Sequence, residues 1–445
     1  MLLFAALLAQ AFIRTGAGAW AVGLAYISYD TLLLFFVAFK TDHIGRAHSE
    51  QDDALPLPSL AAIVAAHNEA SVLETTIEAL RRQDAAPDLI IIADDGSTDR
   101  SAAVLKHVYR LTSPAIGGLS EPGPIAPELR WLRLPHGGKA RALNAAIQHI
   151  DTDIIVTVDA DTLADPGAIL AIRRAFAREP ELVAATGVLR PICGSGVKAQ
   201  LFQAFQAYEY VRNFLSRHAW MQMDSLLLIS GAFAAFRRKP LLAVGGFDPA
   251  CLVEDYEVIH RLHRHAVEHG HEWRVRVLGD VTAQTDAPGS LLPFLRQRRR
   301  WFAGFLQTQY WNRDMIGNSR FGWLGTAMLP VKALDTVQPF YGIAAFVLLV
   351  AFVATGNLMI ALPILLAMAV KIVIDLGWLI VSIIRYRRWT GQRLSIAGAL
   401  LVAIAEPVSF QLLRHLGATW GWLSLATGRQ SWSRARRGGI LARVA

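Results

Sequence analysis

Short clusters of acidic and basic residues stand at the ends of apolar runs, and their types are those that handle metal, phosphate and protons. The clearest is Asp159-Ala160-Asp161, which follows the β-branched run Ile154 to Val158. Such a run suits a strand buried on both faces, and open α/β sheets bind ligands at the carboxyl ends of their strands. Two carboxylates there offer hard oxygen ligands of the kind Mg²⁺ or Mn²⁺ takes when it bridges a diphosphate. His67-Asn68-Glu69 and Asp94-Asp95-Gly96 end two earlier apolar runs, and Gly137-Gly138-Lys139 opens a helical pattern. The paired glycines let backbone amides approach an anion at a helix N-terminus, and Lys139 adds a point charge. This is not a P-loop, because the Gly-x4-Gly-Lys-Ser/Thr spacing is absent. Each cluster alone is compatible with a solvated turn, and His67 alone with a satisfied strand-end histidine; their common order is what carries chemistry.

The elements that must position these clusters follow from the residue pattern. Strands are expected at Leu60–Ala66 and at residues 89–93, 130–134 and 154–158. Ser71-x-x-Glu74 has the form of a capping box for a helix ending near Arg82. Further helices are expected over residues 100–111 and 139–150. Asp165-Pro166, an N-cap followed by proline, opens another that runs to about Arg178. Residues 112–127, rich in Gly and Pro, read as an exposed loop. Strand and helix alternate throughout, which predicts a mostly parallel sheet with helices on both faces. His67, Asp95, Lys139 and Asp159 then fall along one edge of that sheet.

Of the 445 residues, 53% are hydrophobic and only 18% charged, too apolar a balance for an ordinary soluble enzyme. The excess lies at the two ends. Residues 20–38 are long enough to span a bilayer, interrupted by Asp30. Residues 1–13 are apolar but short: a second span, an interfacial helix or part of a signal sequence. Lys40 and Arg46, just past the span, put the central polar region in the cytoplasm. Near the other end, residues 340–354 and 358–384 are apolar, and Lys371 and Asp375 in the second could pair with each other or line a channel. Residues 394–427 are broken by Glu406-Pro407 and fit one kinked span or a re-entrant hairpin. The net charge of +8, with arginines beside apolar segments, favours a membrane surface over nucleic acid as partner. Cys193 and Cys251 are too few for a disulfide framework.

Taken in order, Ala65-Ala66-His67-Asn68-Glu69, Ala93-Asp94-Asp95-Gly96-Ser97-Thr98-Asp99, Gly138-Lys139-Ala140-x-Ala142-Leu143-Asn144 and Asp159-Ala160-Asp161 resemble the family 2 glycosyltransferases with their GT-A nucleotide-sugar domain. The resemblance implies that His67, Glu69 and Asp95 hold the uridine, that Lys139 faces the diphosphate, and that Asp159 and Asp161 serve metal and donor. Ser230-Gly231-Ala232-Phe233 resembles the acceptor-side segment. Leu252-Val253-Glu254-Asp255 resembles the Thr-Glu-Asp motif, with Val253 in place of Thr, which makes Asp255 the catalytic base beside Glu254. An inverting transfer needs such a carboxylate to take the proton of the attacking hydroxyl. The structural alternative is that both acids simply favour the first turn of a helix. Gln297-Arg298-Arg299-Arg300-Trp301 resembles the Gln-x-x-Arg-Trp signature of membrane-embedded poly-N-acetylglucosamine, chitin-oligosaccharide, hyaluronan and cellulose synthases. There Arg300 can neutralise the departing nucleoside diphosphate, Trp301 can present a flat face to a sugar ring, and Gln297 can hydrogen-bond sugar or phosphate. The same stretch also reads as an amphipathic basic helix lying on anionic lipid. The tail from Gly428, through Trp432 to Arg437-Gly438, resembles that of the bacterial poly-N-acetylglucosamine synthases.

The expected organisation is an N-terminal membrane segment and linker (1–56), a cytoplasmic GT-A domain (57–290), interfacial helices with Gln-x-x-Arg-Trp (291–335), transmembrane helices (336–427) and a basic cytoplasmic tail (428–445). The resemblance implies a multi-pass enzyme of the inner (cytoplasmic) membrane. It would transfer sugar from a UDP-sugar, UDP-N-acetylglucosamine or UDP-glucose, to a growing β-linked glycan with Mg²⁺ or Mn²⁺. Membrane lipid and secretion or regulatory subunits are further partners. The alternatives are a single transfer to a glycolipid of the ceramide type, and a catalytically silent, nucleotide-sensing scaffold of a secretion complex.

Overall fold

The computed structural model describes residues 2–45 and 55–428. Arg46, the start of the linker and the basic tail beyond Gly428 lie outside the described residues. The chain opens with helices α1 (Leu2–Ile13) and α2 (Ala21–Lys40). The next segment alternates β1 (Leu60–Ala66), α3 (Leu73–Arg81), β2 (Leu89–Asp95), α4 (Ser101–His107), β3 (Leu129–Leu134), α5 (Lys139–Ile147) and β4 (Ile154–Asp159). It continues through β5 (Thr162–Ala164), α6 (Ala168–Arg178), β6 (Leu182–Ile192), α7 (Val197–Met221), β7 (Phe233–Arg237), α8 (Arg238–Ala243), α9 (Glu254–His269) and β8 (Arg274–Asp286). Helices α10 (Leu291–Trp311), α11 (Leu329–Ala354), α12 (Leu358–Thr390), α13 (Ile396–Ala405) and α14 (Phe410–Ala426) complete the described chain.

The strands form one sheet in the order β3-β2-β1-β4-β7-β6-β8-β5. The first four are mutually parallel, as the strand–helix alternation requires. β7 is antiparallel between β4 and β6, β8 is parallel to β6, and β5 is antiparallel at the edge. The apolar runs of β1 and β4 are almost wholly buried, which fits central strands covered on both faces. Register brings Ala65 opposite both Ala93 and Asp159, so the residues just past β1, β2 and β4 emerge together. Because β7 runs the other way, its leading segment Ser230–Ala232 meets that same edge, and the Asp159 N–H donates to the Ala232 carbonyl at 3.0 Å.

Two local expectations are corrected. No capping box forms at Ser71-x-x-Glu74; the Glu69 carbonyl takes the Val72 and Leu73 amides instead, each at 3.0 Å. Asp165 does not cap α6. The chain after Asp161 turns into β5 and pairs with β8, which carries the Asp165 carboxylate to Arg190 (2.6 Å) and Gln284 (3.1 Å). Gly167, at φ 82°, precedes α6 in its place.

Three helical stretches among the described residues are long and apolar enough to cross a membrane: Gly16–Lys40, Leu324–Ala354 and Leu358–Thr390. Ile396–Val408 and Phe410–Ala426 meet at a 51° bend, the geometry of a broken span or a re-entrant loop. The first C-terminal stretch begins well before residue 340, through a π turn at Leu324–Met328 that leads into α11. Lys371 takes the pairing option left open by its spacing. It pairs with Asp375, reaches Asp30 of α2 at 2.7 Å, and lines an internal cavity with both.

Candidate active site

The strand-end loops build a buried acid-and-amide corner. Asp94 turns inward, accepting the Trp131 indole N–H at 3.1 Å, so Asp95 is the member of the pair that faces the site. The Asp95 carboxylate accepts the N–H groups of Gly137 (2.7 Å) and Gly138 (3.0 Å), with His136 Nδ1 at 2.9 Å. The Gly-Gly amides therefore hold the protein's own carboxylate, not an incoming anion, which corrects the expectation drawn from the glycines. The approach is tight: a Cβ on Gly96, at φ +66°, would lie 2.6 Å from the His136 backbone nitrogen. His67 Nδ1 lies 2.7 Å from the Asp95 carbonyl oxygen, and its ring stacks on His136 with centroids 4.3 Å apart. Glu69 is buried beside them, its N–H donating to Ser101 Oγ at 3.0 Å. Asn68 bridges the two loops by accepting the Thr98 and Asp99 amides at 2.6 and 2.9 Å.

One strand further along, Lys139 gathers the acids. Its Nζ lies 2.6 Å from Asp159, 3.3 Å from Glu254 and 3.1 Å from the Gly231 carbonyl. Burial alone would lower the lysine, but Asp159, Glu254 and Asp255 outweigh it and hold the ammonium well above its ordinary value. Asp255 opens α9 and accepts the Gly231 N–H at 2.6 Å. Burial pushes its carboxyl above the usual carboxylate range and the Glu254 charge adds to this; Lys139, the Gly231 amide and Arg300 offset only part. A side chain at 231 would collide, since a Cβ there would sit 2.8 Å from Asp255 Oδ2.

Helix α10 closes the site on the side of the apolar helices α11 and α14. Its arginines, about 100° apart around the helix, go to separate environments. Arg298 is buried, makes a two-point ion pair with Glu209 of α7 (2.8 and 2.9 Å) and lies 4.5 Å from the Trp301 ring. Arg299 lies over Trp420 of α14 at 4.9 Å. Arg300 and Gln297 line the cavity, and Gln297 Oε1 is buried with no hydrogen-bond partner among the described residues. Among the described residues, Arg298 and Arg299 thus face protein side chains and Arg300 the cavity. Gly304 brings the helix against the turn before Asp255: a Cβ there would meet Val253 Cγ2 at 2.5 Å, so Val253 fills the space over a glycine. The α14 backbone approaches equally closely through Gly417 and Gly421, where a Cβ would lie 2.6 Å from Arg298 and 2.8 Å from the Arg299 carbonyl. That small-xxx-small face was not singled out in the sequence.

The site opens on one cavity of about 1590 Å³. His67, Glu69, Asp95, Lys139, Asp159, Asp161, Glu254, Asp255, Gln297, Arg300 and Trp301 line it, and it continues between the apolar helices to Lys371, Glu406 and His415. Sequence reasoning missed the contribution of α7, whose Glu209, Arg212 and Arg217 also face it. The available signal was three charged residues interrupting an aromatic-rich helix. Arg212 pairs with Glu406, joined by Arg414 at 3.0 Å.

Two groups could hold a cation. Ala160 is buried, with Thr76 donating to its carbonyl at 2.6 Å, so Asp159 and Asp161 flank it on the cavity side as two oxygen ligands suited to a hard divalent ion. His67, Asp95 and His136 offer ligand atoms within 4.8 Å of one another. The Asp95 carboxylate is already held by two amides and an imidazole, and the Asp159 carboxylate by Lys139 at 2.6 Å.

Comparison with known proteins agrees with this geometry. The profile for Glycosyl transferase family 2 matches residues 61–245, and that for Glycosyl transferase family group 2 matches residues 154–373. A poly-β-1,6-N-acetyl-D-glucosamine synthase of Staphylococcus aureus is 25% identical over 249 residues, 56% of this chain and 55% of the relative. A β-monoglucosyldiacylglycerol synthase of Synechocystis is 28% identical over 291 residues, 60% of this chain and 52% of the relative. The chain thus spans about half the length of the curated relatives it matches. The mannosyltransferase PcManGT from Pyrobaculum calidifontis, solved in complex with GDP-Man and Mn²⁺, shares the fold. Its TM-score is 0.58 at 21% identity, covering 88% of this chain and 99% of that one. The mixed, mostly parallel sheet with its acid-lined edge is a GT-A domain, and the chain carries the glycosyl transferase family 2 domain.

Proposed function

We propose that this chain is an inverting glycosyltransferase of the cytoplasmic membrane, its sheet domain on the cytoplasmic side. It takes a UDP-sugar, UDP-N-acetylglucosamine or UDP-glucose, and extends a β-linked polysaccharide. The observation that carries this reading is the Asp255–Glu254–Lys139–Asp159 cluster, in a cavity continuous with the apolar helices. His67, Glu69 and Asp95 receive the nucleoside. Asp255 takes the proton of the acceptor hydroxyl as its oxygen bonds to the anomeric carbon and the carbon–phosphate-oxygen bond breaks on the opposite face. Lys139 and Arg300 stabilise the departing diphosphate, with Gln297 and Trp301 placing the sugar. When bound at Asp159 and Asp161, Mg²⁺ or Mn²⁺ neutralises diphosphate charge. Relatives named for a polysaccharide and for a glucolipid support two acceptor classes, so single transfer to a lipid is the second reading. An intact set of acids, lysine and arginine argues against a silent scaffold.

The test is incubation of membranes carrying this chain with a panel of radiolabelled UDP-sugars, and then product sizing. Long products formed while most acceptor stays unmodified are expected. A product of one sugar on lipid would select the second reading, and no transfer from any donor would overturn both.

A further inference from the structure

Arg217 is an arginine in the cavity that the proposed chemistry leaves without a task. It lies on α7 with its side chain toward the same cavity as Asp255. Its Nε and Nη1 are buried and make no hydrogen bond, and it forms no ion pair among the described residues. Its one close neighbour of note is the Phe214 ring, 4.5 Å from the guanidinium carbon. The other buried cations of the cavity differ: Arg212, Arg298, Arg414 and Lys371 each have a carboxylate. Burial lowers Arg217 to about 10, against small opposing effects from Tyr210 and Asp255, so the group stays charged at neutral pH. A buried cation with unused donors is costly unless a ligand brings the counter-charge.

Position says which ligand. Across the sheet, the nucleoside corner belongs to β1 and β2, the metal carboxylates to β4, and Asp255 to the start of β7 through Gly231. α7 packs on β6 and β8, beyond Asp255 from the donor. Its flank is apolar: Trp220, one turn along, packs on Phe36 of α2 with rings 4.5 Å apart, and Leu33 and Leu34 of α2 line the cavity. α2 is a candidate membrane span. An acceptor seated here meets hydrocarbon on one side, a cation in the middle and the base on the other. We propose that Arg217 binds the phosphate of a membrane lipid acceptor, which presents a free hydroxyl to Asp255. This deepens the second, lipid-acceptor reading of glycosyl transfer and rests on it; Arg217 is a positioning residue, and the phosphate does not react.

The test is calorimetric titration of the purified full-length chain with dihexanoyl phosphatidylglycerol, dihexanoylglycerol and inorganic phosphate, and separately with UDP. Wild type is expected to bind the phosphate-bearing lipid about 10–100-fold more tightly than the neutral one, the range of a charge-assisted hydrogen-bonded pair. Arg217→Gln should erase that preference and leave UDP affinity unchanged, and Arg217→Lys should retain part of it. Because the Gln variant removes an unpaired buried charge, its Tm should be no lower than wild type. No lipid preference in wild type would overturn the proposal. So would inorganic phosphate binding as tightly as the lipid, or Arg217→Gln weakening UDP, which would assign the guanidinium to the donor. If wild type bound no nucleotide, the glycosyl-transfer reading would fall while the lipid preference could still be read.

Discussion

Asp255 sits where burial and the neighbouring Glu254 favour its protonated form, while the Gly231 amide, Lys139 and Arg300 favour the anion. The net upward shift has a worked sign. Protonation is tighter in the folded chain, so this group's contribution to stability is full below the unfolded value of about 3.9 and is lost as pH rises through the folded one. Asp255→Asn lacks that loss. Its Tm should exceed wild type at neutral pH, and the gap should close on acidification, while turnover falls by ~10²–10⁴-fold with UDP affinity nearly unchanged. Parallel loss of UDP binding would instead make Asp255 a structural helix-start residue. In wild type the acid-side fall in kcat/KM should begin at a higher pH than for an ordinary aspartate. For Asp159 and Asp161, excess chelator should abolish transfer and added Mg²⁺ or Mn²⁺ restore it; undiminished activity in chelator would remove the ion from the reaction. The polar side chains that line the cavity were legible because their clusters follow one another in order at successive strand ends. Arg217 was not, because nothing in a sequence tells an arginine with a partner from one without.

The secondary-structure elements were legible where apolar periodicity is strong, as in β1 and β4, and less so where a boundary depends on tertiary pairing. Asp165 has the look of an N-cap, yet β5 pairs with β8 and takes its carboxylate elsewhere. Helix α10 shows the same limit: three consecutive arginines look alike in sequence, and only the packing of α7 and α14 sends one to Glu209 and one to Trp420. The departure Val253, which stands where the resemblance has Thr, gains a reason at this scale, because it packs on Gly304. Gly304→Ala should push α10 away from the Asp255 turn and lower turnover by about 10–100-fold, the cost of roughly 1 Å of misplacement. Adding Val253→Ala removes both γ-methyls and should restore most of the rate. Rates measured on the two single variants and the double variant check this, and failure of the double to recover would show that the contact does not set the geometry.

One cavity joins the sheet domain to the apolar helices, and that is what the sequence could show only in pieces. Asp30 and Lys371 were each legible as charges inside apolar stretches, but their 2.7 Å pairing joins helices far apart in the chain. The same is true of the contact between α10 and α14, where Gly417 and Gly421 bring the α14 backbone against Arg298 and the Arg299 carbonyl. A displacement of α14 should therefore reach the helix that carries Arg300. An apolar helix settles at a depth and tilt fixed by the thickness of the hydrocarbon around it. The rate constant thus acquires a mechanical variable that no aqueous-phase residue controls. In vesicles of increasing acyl-chain length, turnover should pass through a maximum while UDP affinity stays flat, and a flat turnover would mean that the clasp transmits nothing. Such an enzyme would be tuned to the thickness of its own membrane as other enzymes are tuned to temperature.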